Sequence, residues 1–527
     1  MKKFLQFIIV LYALNINAQQ VLWDRSIGQS YSDIMADAIL NRDNNIILAA
    51  SSLSFKPATL DTIIQSDFDY LIVNLDQNNN MLWSTVLGTN MTDIAQSISQ
   101  TLDLGYIIAG TSTGGRSGDK TSPNIGQDDI WILKMNNLGA VQWQKTIGGN
   151  SMDRVSKILV LPDGTYLIAG NSESGITDNR DLEKEPDMIL KKTDARGSQD
   201  YWIIKLDQYG NKVWEKTYGG IYFDELRSVA QTDDRGFILA GISNSTLSGD
   251  KTTENEGYND WWVIKIDGNG NMLWQKSYGD SVDDQLYAIC KTSDNTYILA
   301  GNKSRTQASD ESDFIVMTID NNGNILGQSV IDEARTDILT NMAATRDGSI
   351  IISGFSSSYD FNQPDLLIPD SKEDYLLLKI NSRGEEIWRK SLETASKDIL
   401  AQTLINDDGA IILAGTKATE LGGDLYIVKL FDPEKLLSIA VLKVVPNPAS
   451  NQVEVSIPFE FKEGTAYLIS INGEIIQKSD LAGKTSVSFN IAGLPDAAYL
   501  ISVKTDARND VVKFVKASSS LPSGSSY

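Results

Sequence analysis

Apolar and polar residues alternate along this chain in short bursts, and the bursts recur on a fixed ruler. Tyr201-Trp-Ile-Ile-Lys-Leu and Trp261-Trp-Val-Ile-Lys-Ile have the period of strands with bulky residues on both sides. Turn sequences separate such bursts. Pro162-Asp-Gly, Asp234-Arg-Gly and Asp347-Gly make one series, and Asp207-Gln-Tyr-Gly-Asn, Asp267-Gly-Asn-Gly-Asn and Asp320-Asn-Asn-Gly-Asn make another. Trp23, Trp83, Trp143, Trp214, Trp274 and Trp388 mark the ruler, with Gly327 in the one vacant slot. Ten residues after each stands an aspartate: Asp33, Asp93, Asp153, Asp224, Asp284, Asp337 and Asp398. Strands such as Tyr106-Ile-Ile-Ala-Gly and Phe237-Ile-Leu-Ala-Gly begin thirteen residues later. Another strand opens at Asp69, Asp129, Asp200, Asp260, Asp313, Asp374 or Asp424.

Seven units of four antiparallel strands predict an all-β fold, a seven-bladed β-propeller over residues 21–432. The last unit has Ser438 where a Trp is due, and the spare Trp strand is at the N-terminus. The expectation is that this strand completes the last blade and removes two exposed edges. After a linker at 433–443 the ruler stops. Alternating segments at Val453, Ala466, Ser486, Tyr499 and Val512 then predict a small Ig-like β-sandwich over 444–516, followed by a Ser- and Gly-rich tail, 517–527, that reads as disordered.

Composition narrows the chemistry. The start, residues 1–18, has a basic opening, an apolar run and Ala18 before Gln19, the pattern of a cleavable signal peptide. No later run approaches the ~20 apolar residues of a spanning helix, so no membrane span is expected. Formal net charge is −23, which disfavours nucleic acid as a partner. Cys290 is the single cysteine and there is no histidine, which removes intrachain disulfides, Cys-cluster metal sites, Ser-His-Asp catalysis and His-ligated zinc.

The Lys-Leu-Asp-x-x-Gly-Asn-x-x-Trp pattern resembles the tryptophan-docking repeats of quinoprotein-like propellers. With Ser-Gly before Asp119-Lys-Thr and Asp250-Lys-Thr, it resembles still more the exported propellers of Bacteroidetes. The C-terminal segment is similar to the type A sorting domain of the type IX secretion system in Pro446-Asn447-Pro448, the Asn472-Gly473 turn, Tyr499 near the end and the closing strand at Lys513. Leu494-Pro-Asp-Ala-Ala-Tyr499 departs from that pattern in carrying Ala where Gly is usual. The resemblance implies export through Sec and then across the outer membrane to the cell surface or beyond, with the type IX translocon and its cargo shuttle as partners.

Two constellations invite a chemical reading. If the seven aspartates Asp33 to Asp398 converged on the axis, they would make an anionic ring suited to Ca²⁺; the bland alternative is that each bonds backbone N–H groups as Asx residues do. No other cofactor is expected, and no catalytic residue emerges from the spacing. The Asp-x-Asn-Gly-Asn segments lack the acidic end of a calcium loop and read as hairpin turns.

Length variation is concentrated in one connection. From the repeated aspartate to the aspartate of the later strand the distances are 36, 36, 47, 36, 29, 37 and 26 residues. A ligand site is therefore expected on the long-loop face, with Phe55, Tyr258, Tyr359 and Phe361 as contact aromatics. Shortening the longest loop, Asn171 to Gln199, is expected to abolish ligand binding and to leave stability nearly intact. The preferred reading is a non-enzymatic binding or adhesion propeller for a surface glycan or protein. The alternatives are a carboxylate-dependent polysaccharide-active enzyme and a structural or motility-associated surface component.

Overall fold

The computed structural model describes residues 21–28, 32–55, 66–306, 312–331, 336–357, 374–392, 398–407, 409–419, 422–430, 442–457, 461–470, 475–481, 484–505 and 509–517. The chain divides into two compact units, residues 21–431 and the C-terminal segment from Asp432. Asn472, Gly473, Tyr359 and Phe361, the signal-peptide segment and the 518–527 part of the tail lie outside the described residues.

The first unit is a β-propeller. Its described strands form seven four-stranded antiparallel groups, and the fifth and sixth are joined by one parallel bridge between Ser312 and Thr336. Each blade opens with an inner strand that starts at or beside the repeated aspartate: Asp33–Leu40, Asp93–Gln100, Asp153–Val160, Asp224–Gln231, Asp284–Lys291, Thr336–Ala344 and Asp398–Ile405. These seven pack in a cycle, each against the next and the last against the first. The Ala-Gly strands and the third strands are buried on both faces, as in Tyr106–Ser112 and Asp129–Met135. Core clusters lie between neighbouring blades, so no blade has a core of its own.

Two devices set the blade-to-blade register. Each inner strand is bulged two to five residues into its length, and in blades one, two, four and six the N–H beside the bulge donates to the residue after the previous blade's Ala-Gly pair or its equivalent. Met35 N–H donates to Thr416 Oγ1 at 2.9 Å, Ala95 to Ser51 Oγ at 3.0 Å, Leu226 to Asn171 Oδ1 at 2.7 Å and Leu339 to Asn302 Oδ1 at 2.9 Å. The second device is the tryptophan ruler. Trp143 and Trp214 lie on the turn glycines Gly210 and Gly270 of the following blade, which hold φ of +81° and +79°; a Cβ on Gly210 would be 3.0 Å from the Trp143 ring. Gly327, in the vacant slot, leaves Gly384 facing Thr318 and Val316 instead.

The seventh blade is completed by the N-terminus. Val21–Ile27 pairs antiparallel with Gly422–Leu430, outside Ile411–Thr419 and Asp398–Ile405. The strand supplies Ile27 and Trp23 to the core shared by the last and first blades.

The expectation for the longest loop is overturned. Met188–Leu190 forms a strand parallel to Val141–Gly148, a fifth strand on the second blade. Ile189 and Leu190 are buried there and Lys191 is fully buried. The loop is part of the packed structure because its few apolar residues cover an outer edge.

In the second unit, Lys443–Val445, Gln452–Ser456 and Ser486–Asn490 form one sheet, and Ile475–Asp480, Gly464–Ser470, Ala497–Thr505 and Asn509–Lys516 form another. Val453, Val455, Leu468, Phe489, Ile501 and Phe514 fill the space between them, a small β-sandwich.

Deleting Gln20 to Gly28 exposes both edges of the closure. It is expected to cost on the order of 5 kcal/mol, from about six backbone pairings and the burial of Ile27. Chemical denaturation of the deletion variant measures this, and an unchanged midpoint would contradict the closure.

Candidate functional site

A row of polar side chains crosses each blade at the end from which the long loops leave. In register stand Asp93, Ser112 and Asp129; Asp153, Ser172 and Asp200; and Asp224, Ser243 and Asp260. The fourth strand leads to Gly148, Gly219 or Gly279, where a Cβ would collide with the third-strand aspartate, 1.8 Å from Asp200 Oδ1 at Gly219. All these aspartates are buried. Asp93, Asp153 and Asp224 each accept the backbone N–H of the residue four earlier at 2.6 Å, and Asp284 does so at 3.0 Å. Asp33 and Asp398 are buried at the same position, and the side chain of Asp337 lies outside the described set. Among the described residues, no three His, Cys, Asp or Glu side chains gather as a metal cluster.

Two carboxylates removed from water need a positive charge, and the loops supply it. Lys120, Lys191 and Lys251 are buried, each within the field of the two aspartates of its own blade. Lys120 Nζ donates to Gly114 O at 2.8 Å and Lys191 Nζ to Thr193 O at 2.8 Å. Two residues after each lysine a hydroxyl meets one on the outer strand: Ser122 with Thr146 at 2.6 Å, Thr193 with Thr217 at 2.7 Å, Thr253 with Ser277 at 2.7 Å. Gln144, Glu215 and Gln275, each just after a ruler tryptophan, accept the backbone N–H of Thr121, Lys192 and Thr252 and the indole N–H of Trp131, Trp202 and Trp262. The segments carrying Lys120, Lys191 and Lys251 are therefore clasps that fold the long loops back over the blade. In the fifth and seventh blades, whose loops are shortest, the strand itself supplies the lysine: Lys303 and Lys417 stand where the others have Ser.

The symmetric row is structural, and the asymmetry lies one residue further along the inner strands. At the residue after each repeated aspartate stand Ile34, Ile94, Arg154, Glu225, Gln285, Ile338 and Ile399. Blades six, seven, one and two thus present an apolar arc to the axial mouth, with Ile34 47% and Ile399 53% exposed. Blades three to five present a polar one. Arg227 pairs with Glu225 at 2.9 Å and lies 5.4 Å from the Tyr287 ring centroid. Arg154 pairs with Asp128 at 3.1 Å. Burial raises the Glu225 carboxyl above its usual range, against the pull of Arg227 and Arg154, and also raises the Tyr287 phenol.

Further along the inner strands stands a hydrogen-bonded hub. Asp37, 2% exposed, accepts from Lys157 Nζ at 2.8 Å, Ser97 Oγ at 3.0 Å, Ile98 N at 3.0 Å and Gln402 Nε2 at 2.6 Å, joining blades one, two, three and seven. Sequence reasoning missed both mouth and hub. The signal for the mouth was present in the column after the repeated aspartate, which varies while the aspartate does not. Of the four contact aromatics, Tyr258 is exposed on the long-loop face; the side chains of Phe55, Tyr359 and Phe361 are outside the described set. Cys290 is partly buried among apolar residues of the fifth and sixth blades, and burial pushes its thiol up to about 11.

In the C-terminal sandwich the sorting-type residues are brought together. Asn447, between the exposed Pro446 and Pro448, accepts Val515 N–H at 2.9 Å through Oδ1, and Ala449 N–H donates to Val515 O at 2.9 Å. Tyr499 is buried, stacks on Phe514 at 5.7 Å and donates to Pro495 O at 2.9 Å. Lys513 is exposed beside them, on the strand that pairs with Ala497–Thr505.

These features define a β-propeller joined to a sandwich whose first and last segments are tied together. Residues 443–517 match the secretion system C-terminal sorting domain, and the protein is type IX secretion cargo, exported to the cell surface or the extracellular space. Part of the chain is 23% identical over 233 residues to the regulatory protein FlaEY of Caulobacter vibrioides, covering 43% of this chain and 24% of that protein. A stretch of 118 residues is 22% identical to an uncharacterized WD repeat-containing protein of Acanthamoeba polyphaga mimivirus, covering 21% of this chain and 8% of that one. Among solved structures, a protein of unknown function from Bacteroides caccae is similar at TM-score 0.35 and 10% identity, over 69% of this chain and 94% of that one. The α-L-arabinanase of Penicillium chrysogenum is similar at TM-score 0.37 and 10% identity, over 78% and 99%. No helix among the described residues is long and apolar enough to cross a membrane.

Burial raises Asp153 and Asp200 to about 6, so the folded blade holds protons more tightly than the unfolded chain. The stability this gives is complete below the ordinary carboxylate value of about 4 and is lost as pH rises through about 6. Lys191→Met, which leaves both charges unaccompanied, is expected to cost about 3 kcal/mol at about pH 8 and distinctly less at about pH 5. Denaturant midpoints of parent and variant at the two pH values measure the difference. An equal loss at both would show that Lys191 acts through packing alone.

Proposed function

We propose that the protein is a non-enzymatic binding propeller, delivered to the cell surface or released, that holds its ligand at the axial mouth on the long-loop face. The observation that carries this reading is the break in symmetry at the mouth. In six of the seven blades the repeated aspartate is buried: Asp33, Asp93, Asp153, Asp224, Asp284 and Asp398. The adjacent column divides into an isoleucine arc and a polar arc of Arg154, Glu225 and Gln285. Fold rules act on every blade alike, so a division of this kind is what a ligand with two unlike sides selects. The long loops of blades two to four are clasped in place, and the hydrogen bonds of Asp37 hold the inner strands of blades one, two, three and seven together beside the mouth.

The surface partner, glycan or protein, is to be found by a glycan array and pull-down with the mature full-length chain. Ile399→Asp, at an exposed position, is expected to remove the ligands the parent retains. Tyr209→Ser, on the tight-turn face, is expected to keep them. Loss tracking Tyr209 and not Ile399 would place binding on the other face.

Export is handled by the C-terminal sandwich, and we propose that the translocon and cargo shuttle read the surface formed by Pro446, Asn447, Pro448 and Lys513. Removing residues 443–517 is expected to leave a folded propeller in the periplasm, and fusing the segment to a signal-bearing reporter is expected to carry the reporter outside. Surface recovery of the truncated protein at parental levels would refute a sorting role for the segment.

A further inference from the structure

We infer that the axial mouth takes a ligand that joins an apolar body to a carboxylate, the body against the isoleucine arc and the carboxylate at Arg227. This rests on the reading of the mouth as the binding site and adds the chemistry of what enters it. Two independent observations point the same way. The first is the arc itself: Ile34 and Ile399 are about half exposed at the rim, in a chain whose other inner-strand apolar residues are largely buried. Covering two such side chains removes apolar surface from water at roughly 25 cal/mol per Å². The second is a donor without an acceptor. Arg227 spends one terminal nitrogen on Glu225, yet its Nε is buried and bonds nothing among the described residues. An unsatisfied buried donor costs free energy, and the guanidinium that carries it is partly exposed at the mouth, where a ligand can meet it.

An ionised acceptor suits the place better than a neutral one. Hydrogen bonds from guanidinium to carboxylate are about twice as strong as those between neutral groups. Arg154, paired with Asp128, lies close enough to act on the same carboxylate, Glu225, that Arg227 holds. Tyr287, beneath the Arg227 guanidinium, fixes the plane of the fork. Asp37 and its partners add a hydrogen-bonded polar cluster further along the inner strands of blades one, two, three and seven.

Such a molecule has two natural sources, an acyl chain or the C-terminal end of an apolar peptide. Decanoate and N-acetyl-leucyl-leucine are the probes for the two, with decanol and the dipeptide amide as their neutral partners. Binding to the full mature chain is read by calorimetry, alongside Arg227→Gln and Ile399→Ser. At least one acid is expected to bind about tenfold or more tightly than its neutral partner, the weight of one charge-assisted hydrogen bond. Arg227→Gln is expected to abolish that preference. Ile399→Ser is expected to weaken acid and neutral partner alike. The acid that binds identifies the source. If neither acid binds, or acid and neutral partner bind equally, the ligand class is wrong; the axial site then stands or falls by whether Ile399→Asp removes the array and pull-down ligands. Acid binding untouched by both variants would overturn the axial site itself.

Discussion

A propeller blade is apolar on both faces, so it is stable only with a neighbour on each side, and that single constraint makes ring closure the condition for everything else here. The Ala-Gly and third strands have almost no exposed surface. An open stack would leave the first and last blades with one such face in water. The chain meets the constraint by spending its first strand on its last blade, so Val21–Ile27 and Gly422–Leu430 pair across nearly the whole repeat region. Asp37 reinforces the same seam from the inside: Gln402 of the last blade and Lys157 of the third both donate to it.

Closure also explains why so much charge is buried. Seven blades that converge on an axis need tight connections from each outer strand to the next inner strand, and those connections leave N–H groups out of reach of water. The repeated aspartates accept them. A second aspartate on the third strand serves the end of the long loop, through Ile125, Arg196 and Glu256 N–H. The lysine then follows from electrostatics rather than from any fixed loop length. Its source changes with loop length while its charge stays, from Lys191 on the longest loop to Lys303 and Lys417 on strands beside the shortest ones.

Much of this was legible in the sequence, and the exceptions have physical causes. The Trp ruler and the Asp-x-x-Gly turns are local patterns with one geometry each, and they gave strands, turns and the closing N-terminal strand directly. Strand order across the blade was also readable, because each spacing except one is constant. The Asn171 to Gln199 segment was misread because its charges outnumber its apolar residues. What matters is that Ile189, Leu190 and Lys191 are contiguous and fall on an open edge, which only the pairing with Val141–Gly148 reveals. The exchange of Ser112 with Lys120 for Lys303 alone was equally hidden, since it appears only once Asp284, Lys303 and Asp313 are seen side by side in register.

The mouth was hidden for a different reason. In a repeat, attention goes to what recurs, and the residue after each aspartate does not recur. Variation by itself carries little information on a surface, since Leu138, Val213 and Leu273 are exposed elsewhere without forming an arc. What separates the mouth from those positions is that its variation is ordered around the ring: four consecutive blades give isoleucine and the three between them give arginine, glutamate and glutamine. Neighbouring blades carry the same inner-strand bulge on both arcs, so the bulged scaffold does not require the division. A ring that is symmetric in its support and divided at its centre separates the two demands on the chain, with the buried rows holding the fold and the column beside them free to recognise a partner.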